Sequence, residues 1–471
     1  MQEVKTMHKK KYGFFSWLKE KVSRFFKDSA TDYTYSSMAD AMEKWLELYY
    51  DEPRWLKETH YHSLNLPASI CAEFARLMMV EFDVVISGSA RADFLNQQFR
   101  RMTANLRINL EKGCAVGGLV FKPYVSCGKV MTDCVIQDEF IPTEFFDDTC
   151  VGGVFVNKIT KGDRYYWQLE KQRYDYAAKT HTSQSRFFVS EQPDKLGREI
   201  NVSEYPLPVQ EQFTIYNCDL PLFAFWRVPE ANTEVKDSPL GISVFARAVR
   251  NIREADKQWD RFLWEFEGGE LAIDASEFAL RQAPVQDSEG NIVKMEMPKT
   301  KDRLFRRINA RKHDNSAFYE IFAPQLRDSS YGNGLSRILR VIEWSVGLAY
   351  GTLSDPQDAD KTAEEIKASK QRSYTFICNM QASLQTTLEQ YIYAIDKYTT
   401  VCNLAPSGAY NIQWNWGDGV LEDSDKETQI KLQEVNNNII TKEAYLKWRY
   451  SVTEEQAKEM IPSETYQPFF E

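Results

Sequence analysis

Between 238 and 269, apolar residues recur every three or four positions: Phe245, Ala248, Val249, Ile252, Ala255, Trp259, Phe262, Leu263 and Phe266. Charged residues such as Arg250, Arg253, Lys257 and Arg261 fall between them. That period predicts one long amphipathic helix, opened by Ser238 and Pro239 and closed by Gly268 and Gly269. The stretch 335–350 has the same mixed character, and a charged insert separates the two. Two helices joined by a long excursion predict a stalk with a tip.

The rest of the chain can be placed around that stalk. In 14–26, Phe14, Phe15, Leu18, Val22, Phe25 and Phe26 share one helical face, which Lys19, Lys21, Arg24 and Lys27 avoid. Such a basic arm suits a membrane surface, or packing on its own protein or a neighbouring copy. Residues 36–58 read as a helix that stops before Pro53, 65–88 as a helix and a short strand, and 90–113 as a third helix. The period then changes to two, with strands expected over 116–125, 129–137, 151–158, 165–171 and 186–189. Helices followed by strands predict an α+β domain. A long helix is expected over 361–398 and one strand over 410–416, followed by two or three polar helices. Thr362 with Glu365, and Thr453 with Gln456, have capping-box spacing, while Thr441 occupies an N-cap place ahead of Ala444.

Composition narrows the function classes. The chain has 471 residues, 43% of them hydrophobic, enough for substantial cores and more than one part. A formal net charge of −10 argues against tight wrapping of nucleic acid, but not against a channel through which it slides. Cysteines at 71, 114, 127, 134, 150, 218, 378 and 402 form no CxxC pair, which predicts reduced thiols. No apolar run reaches the ~20 residues of a membrane span, so an intracellular product is expected.

No catalytic signature is present. There is no P-loop, GxSxG or HExxH motif. Gly113, Gly117 and Gly118 lead into a strand rather than a helix, which predicts close packing instead of a phosphate cradle. His60 and His62 lack a convincing third ligand and read as surface histidines. Asp133, Asp138, Glu139, Asp147 and Asp148 read as solvated loop carboxylates. No catalytic residue, metal site or cofactor is therefore expected.

The order of parts resembles the tailed-bacteriophage portal proteins, over about 65–462. LEKGCAVGGLVFKPYV (110–125) is similar to that family's helix–glycine–strand entry into the wing, and IQDEFIPTEFFDD (136–148) to its Phe-x-Pro segment, here Phe140 and Pro142. In 229–245, Asn232, Ser238, Pro239, Leu240, Gly241 and Ser243 match the run before the first stem helix. The most specific stretch is 342–374, where Gly347 and Thr362–Ala363–Glu364–Glu365 fit the second stem helix, tunnel loop and long helix. The resemblance implies an α/β wing (31–235) behind the N-terminal arm (1–30), a stem (236–269 and 331–350) and a small α/β clip (270–330). It further implies a tunnel loop (351–361), a long kinked helix with return to the wing (362–416) and a helical crown (417–471).

As a portal, the chain would form a dodecameric ring at a capsid vertex, present in the host bacterial cytoplasm during assembly and then in the virion. That ring would nucleate procapsid assembly with the major capsid and scaffolding proteins and dock the terminase large subunit. It would pass double-stranded DNA without sequence preference and later bind the head–tail connector. Phe245, Ile252, Trp259, Phe262 and Phe266 are the expected stem contacts between subunits, because a lone stalk would leave its aromatic stripe exposed. Ser354, Asp355, Asp358, Asp360 and Lys361 are the expected channel loop, whose acidic tip would repel phosphates. Lys299, Lys301, Arg303, Arg306, Arg307 and Arg311 are the expected partner-binding residues of the clip. Two rival readings stand beside this one. The first is a structural protein that binds nucleic acid through the basic 294–312 tract, to be recognised by strongly salt-dependent affinity. The second is an enzyme with an unfamiliar site, to be recognised by turnover.

Overall fold

The computed structural model describes residues 36–59, 61–193, 195–276, 283–286, 292–296, 305–308, 319–354, 363–417, 431–437, 439–450, 458 and 461. Helices and sheets are mixed in an α+β architecture. α1 (Ser36–Tyr49) ends ahead of Pro53, and the short α2 (Arg54–Thr59) follows. α3 (Leu66–Met78) carries Pro67 in its first turn and leads to β1 (Asp83–Ser87). The helix expected over 90–113 is two helices, α4 (Ala90–Thr103), capped by the Ser89 hydroxyl, and α5 (Leu106–Val116).

β2 (Gly118–Ser126) and β3 (Lys129–Ile136) form a hairpin, joined on the β2 side by β10 (Ala224–Arg227). β4 (Phe140–Phe146), β5 (Thr149–Lys161), β6 (Arg164–Asp175), β7 (Thr180–Ser190) and β8 (Arg198–Ile200) make an antiparallel meander, to which β9 (Gln212–Ile215) adds on β7. These strands are mostly longer than the period-two stretches, because alternation fades where both faces are covered, as in β5 over 150–155.

The first stalk helix, α6 (Val249–Gly268), is shorter than the expected 238–269. Tertiary partners occupy the backbone before it. The Gly241 carbonyl accepts from Gln137 Nε2 (3.1 Å), the Leu240 carbonyl from Asn232 Nδ2 (3.0 Å), and Val244 N–H donates to the Cys114 carbonyl (3.1 Å). With Leu240, Ile242, Val244 and Phe245 all buried, this segment is core rather than stalk. The glycine cluster does pack closely. A Cβ on Gly241 would sit 2.0 Å from the Gly117 carbonyl oxygen, and Gly117 itself has φ +91°.

Beyond α6, the described stretches between 272 and 322 are strands. β11 (Ala272–Ser276) lies between parallel β14 (Phe305–Ile308) and antiparallel β15 (Tyr319–Phe322), and β12 (Ala283–Gln286) pairs with β13 (Ile292–Glu296). α7 (Asp328–Val346) begins and ends earlier than 335–350, so its first turns fall in and just after the stretch expected as the clip. Gly347, at φ +84°, stops it. α8 (Ala363–Val401) is one continuous helix of 39 residues, about 58 Å long. Its stripe Ile377, Met380, Leu384, Leu388, Tyr391, Ile395 and Tyr398 is buried against α3, α4, β2 and β10, making it the axis of the main core. The chain then returns as β16 (Asn411–Asn415), antiparallel to β1. Near the C-terminus, α9 (Lys442–Tyr450) is capped by Thr441, whose hydroxyl accepts from Ala444 N–H (3.2 Å).

Candidate assembly surface and channel loop

α6 and α7 run antiparallel as a stem of roughly 30 Å, from 20 and 19 residues at 1.5 Å each. α7 presents Gly332 and Gly334 to Phe262 and Gln258, so small residues let the helices approach. Gln258 Nε2 reaches the Tyr331 carbonyl at 3.4 Å. Along α6, Trp259 stacks on Phe262 (5.5 Å, 17°) and Phe262 meets Phe266 edge-on (4.9 Å, 79°).

Two glutamates fix the ends of the stem. Glu265, in the last turn of α6, accepts from Arg327 N–H (2.9 Å), Nε (3.1 Å) and Nη2 (2.8 Å), clamping the start of α7. Those hydrogen bonds hold Glu265 below the usual carboxylate range. Glu343, fully buried near the end of α7, turns into the following loop. Its carboxylate accepts from the N–H groups of Gly351 (3.1 Å), Leu353 (2.6 Å) and Ser354 (2.9 Å), and from the Ser354 hydroxyl (3.0 Å). A charged acceptor with this many donors makes the loop root a preformed turn. Arg372 of α8 lies over the Trp344 ring at 3.9 Å, joining the same root to the long helix.

The base of the stem is tied to the wing. Asp256 is buried and accepts from Trp55 Nε1 and Leu64 N–H, each at 3.0 Å, while burial raises its pKa against those bonds. One turn on, Asp260 accepts at 2.9 Å from His62, so that histidine partners a carboxylate. His60 lies outside the described residues.

The five expected stem contacts divide. Phe245 and Ile252 are interior to the subunit's own core, because α6 begins inside the wing, and neither offers a surface to a neighbour. Trp259 and Phe262 are half-buried and Phe266 is exposed. Sequence reasoning missed the most open apolar side chains of α6 and α7, Trp264 at 67% and Trp344 at 60% exposure, with Val341 one turn from the latter. Both tryptophans fall outside the main stripe, where period counting assigns solvent.

Of the expected loop residues, Ser354 is the one among the described residues. It is buried and bonded to Glu343, so it anchors the loop's beginning. Asp355, Asp358, Asp360, Lys361 and Thr362 lie outside the described residues, as do Lys299, Lys301, Arg303, Arg311 and Thr453 of the other expectations. Arg306 and Arg307 are on β14, in register with Asp274 and Ala275 of β11. Glu265 and Glu343 escaped sequence reasoning too, although a signal existed. A carboxylate near a helix C-terminus opposes the macrodipole, which points to specific donors nearby.

Among the described residues no group of three or more acidic, histidine or cysteine side chains is arranged to hold a metal, and no helix is long and apolar enough to cross a membrane. All eight cysteines are free, with Cys71, Cys114, Cys150 and Cys218 buried. Burial pushes the Cys134 thiol up to about 12, leaving it unreactive near neutral pH. No family model matches the chain, and no curated protein matches it either.

Proposed function

We propose that the chain is the subunit of a phage portal, a dodecameric ring whose channel passes double-stranded DNA during packaging and ejection. The observation that carries this reading is the stem. Two antiparallel helices clamped by Glu265 and Arg327 bear a strand-built clip at one end and a Glu343-pinned loop at the other, and they leave Trp264, Phe266, Val341 and Trp344 uncovered. Exposed large aromatics on both helices suit a wall in which each stem packs on the next. The loop leads directly into the longest helix of the core, so a load on the loop would be borne by the wing.

In this reading the acidic residues Asp355, Asp358 and Asp360 keep DNA from adhering, and the basic clip tract meets the terminase large subunit and later the head–tail connector. The wing faces the major capsid and scaffolding proteins. The role is mechanical, with no catalytic residue, and the place of action is the virion vertex after assembly in the bacterial cytoplasm.

Charge placed on the stem tests this. Trp264→Asp combined with Trp344→Asp would put carboxylates into an apolar subunit contact, at a cost of several kcal/mol per contact. Size-exclusion chromatography with light scattering should show the large assembly replaced by small species of unchanged far-UV circular dichroism. An assembly of unaltered mass would remove the stem from the subunit contact.

A further inference from the structure

A cavity of about 1120 Å³ opens in the wing, and no described residue of α6, α7 or the Glu343 loop lines it. One wall is a face of α1, Ala39, Met42, Glu43 and Leu46; the others come from β2, β3, the turn at 138–139, β5, β6, β7, the 205–215 segment and the end of α8. It exceeds the roughly 300–1,000 Å³ of a small-molecule site. Tyr124, Leu207 and Val401, three of the exposed large apolar residues, stand along its lining.

Its charge is one-sided. Among the described residues, five carboxylates (Glu43, Asp133, Asp138, Glu139 and Glu170) line it against two ammonium groups. Both cations are engaged: Lys122 with Glu170 (3.0 Å) and Asp133 (3.4 Å), and Lys158 with the Pro193 carbonyl (2.6 Å) and the Trp167 ring. Burial and the neighbouring Glu47 raise the pKa of Glu43, a strain that an added cation would relieve. The complementary occupant is therefore apolar on one side and basic on the other.

Such a sequence is present in the chain, a few residues ahead of α1. Residues 14–27, FFSWLKEKVSRFFK, place Phe14, Phe15, Leu18, Val22, Phe25 and Phe26 at helical spacing and carry four cations against one carboxylate. From Lys27 to Ser36, where α1 begins, is nine residues, a reach of up to about 30 Å. α1 itself forms the cavity wall, so the chain approaches at the right place. We propose that residues 14–27 dock in this cavity of their own subunit, apolar side chains inward and cations against its carboxylates. A self-docked arm would brace α1 against β5, β6 and α8 independently of whether the chain forms a ring.

Cys402 reports on the docking, since it lines the cavity and is exposed, whereas Cys127 is exposed but does not line it. In the full chain, alkylation of Cys402 by a maleimide should be at least tenfold slower than in a Phe15→Asp, Leu18→Asp, Phe25→Asp variant, with Cys127 reacting equally in both. Leu207→Asp with Val401→Asp, at exposed positions of the lining, should speed Cys402 in the same way. A Trp17→Cys variant treated with a short bis-maleimide should join position 17 to Cys402 within one chain. Equal Cys402 rates in all forms, a crosslink that joins two chains, or sedimentation of the wild-type chain with phosphatidylserine vesicles while Cys402 stays reactive would each overturn the proposal.

Discussion

Glu343 shows how one side chain can set the shape of a loop. Its carboxylate accepts from three backbone N–H groups and a hydroxyl of the 351–354 turn. Glu343→Ala should destabilise the chain by about 1–3 kcal/mol or more, and Glu343→Gln by less, since an amide oxygen keeps part of the acceptor set. Hydrogen exchange at 351–354 should accelerate well beyond exchange elsewhere; unchanged protection there would show that other contacts hold the turn.

His181 gives a second residue-level prediction. It is fully buried, accepts at Nδ1 from Leu222 N–H (3.4 Å), and its Nε2 faces the Gln172 Oε1 (3.2 Å), a pattern the neutral ring satisfies. Burial lowers its pKa to about 4, against the opposing pull of Glu170. Because the unfolded chain binds this proton from about pH 6.5 downward and the folded one only near 4, stability rises with pH across that window. Between pH 7 and pH 4 this group should remove about 3 kcal/mol, read as a falling urea midpoint. His181→Gln should flatten that slope. Glu170 sits beside it, its own pKa raised by burial but lowered further by Lys122, Gln172 and Ser183, so its contribution is lost only in more acid solution.

At the scale of elements, the stem illustrates what a sequence does and does not disclose. The apolar stripe from Val249 to Phe266 announced α6, whereas the second helix, expected to run to 350, stops at Gly347. The first turn failed because Ser238, Pro239 and the following apolar residues mimic a helix start, while the backbone there bonds to Gln137 and Cys114, distant in sequence, and to the nearer Asn232. The break between α4 and α5 at Ala104 and Asn105 carries neither Gly nor Pro, and its one local signal is Asn105, an N-cap residue type. Glycine packing, by contrast, was legible from the glycines ahead of β2. Gly241→Ala should be severely destabilising, because its Cβ would meet the Gly117 carbonyl oxygen at 2.0 Å. A thermal midpoint within a degree or two of wild type would show that the two backbones can separate freely.

For the whole molecule, the surface matters more than the core. The chain folds around α8, yet its stem keeps aromatics open that a solitary subunit would be expected to cover. The pattern of parts along the sequence suggested this arrangement, whereas the outward tryptophans did not, since periodicity ranks them with the polar face. Phe245 separates folding from assembly: Phe245→Ala should cost the subunit about 3–5 kcal/mol, unlike changes at Trp264. Electron microscopy of the purified full chain is the most direct test of the portal reading. Twelve-fold rings with a central hole wide enough for a DNA duplex are the predicted result; monomers alone, at every concentration up to the limit of solubility, would contradict it.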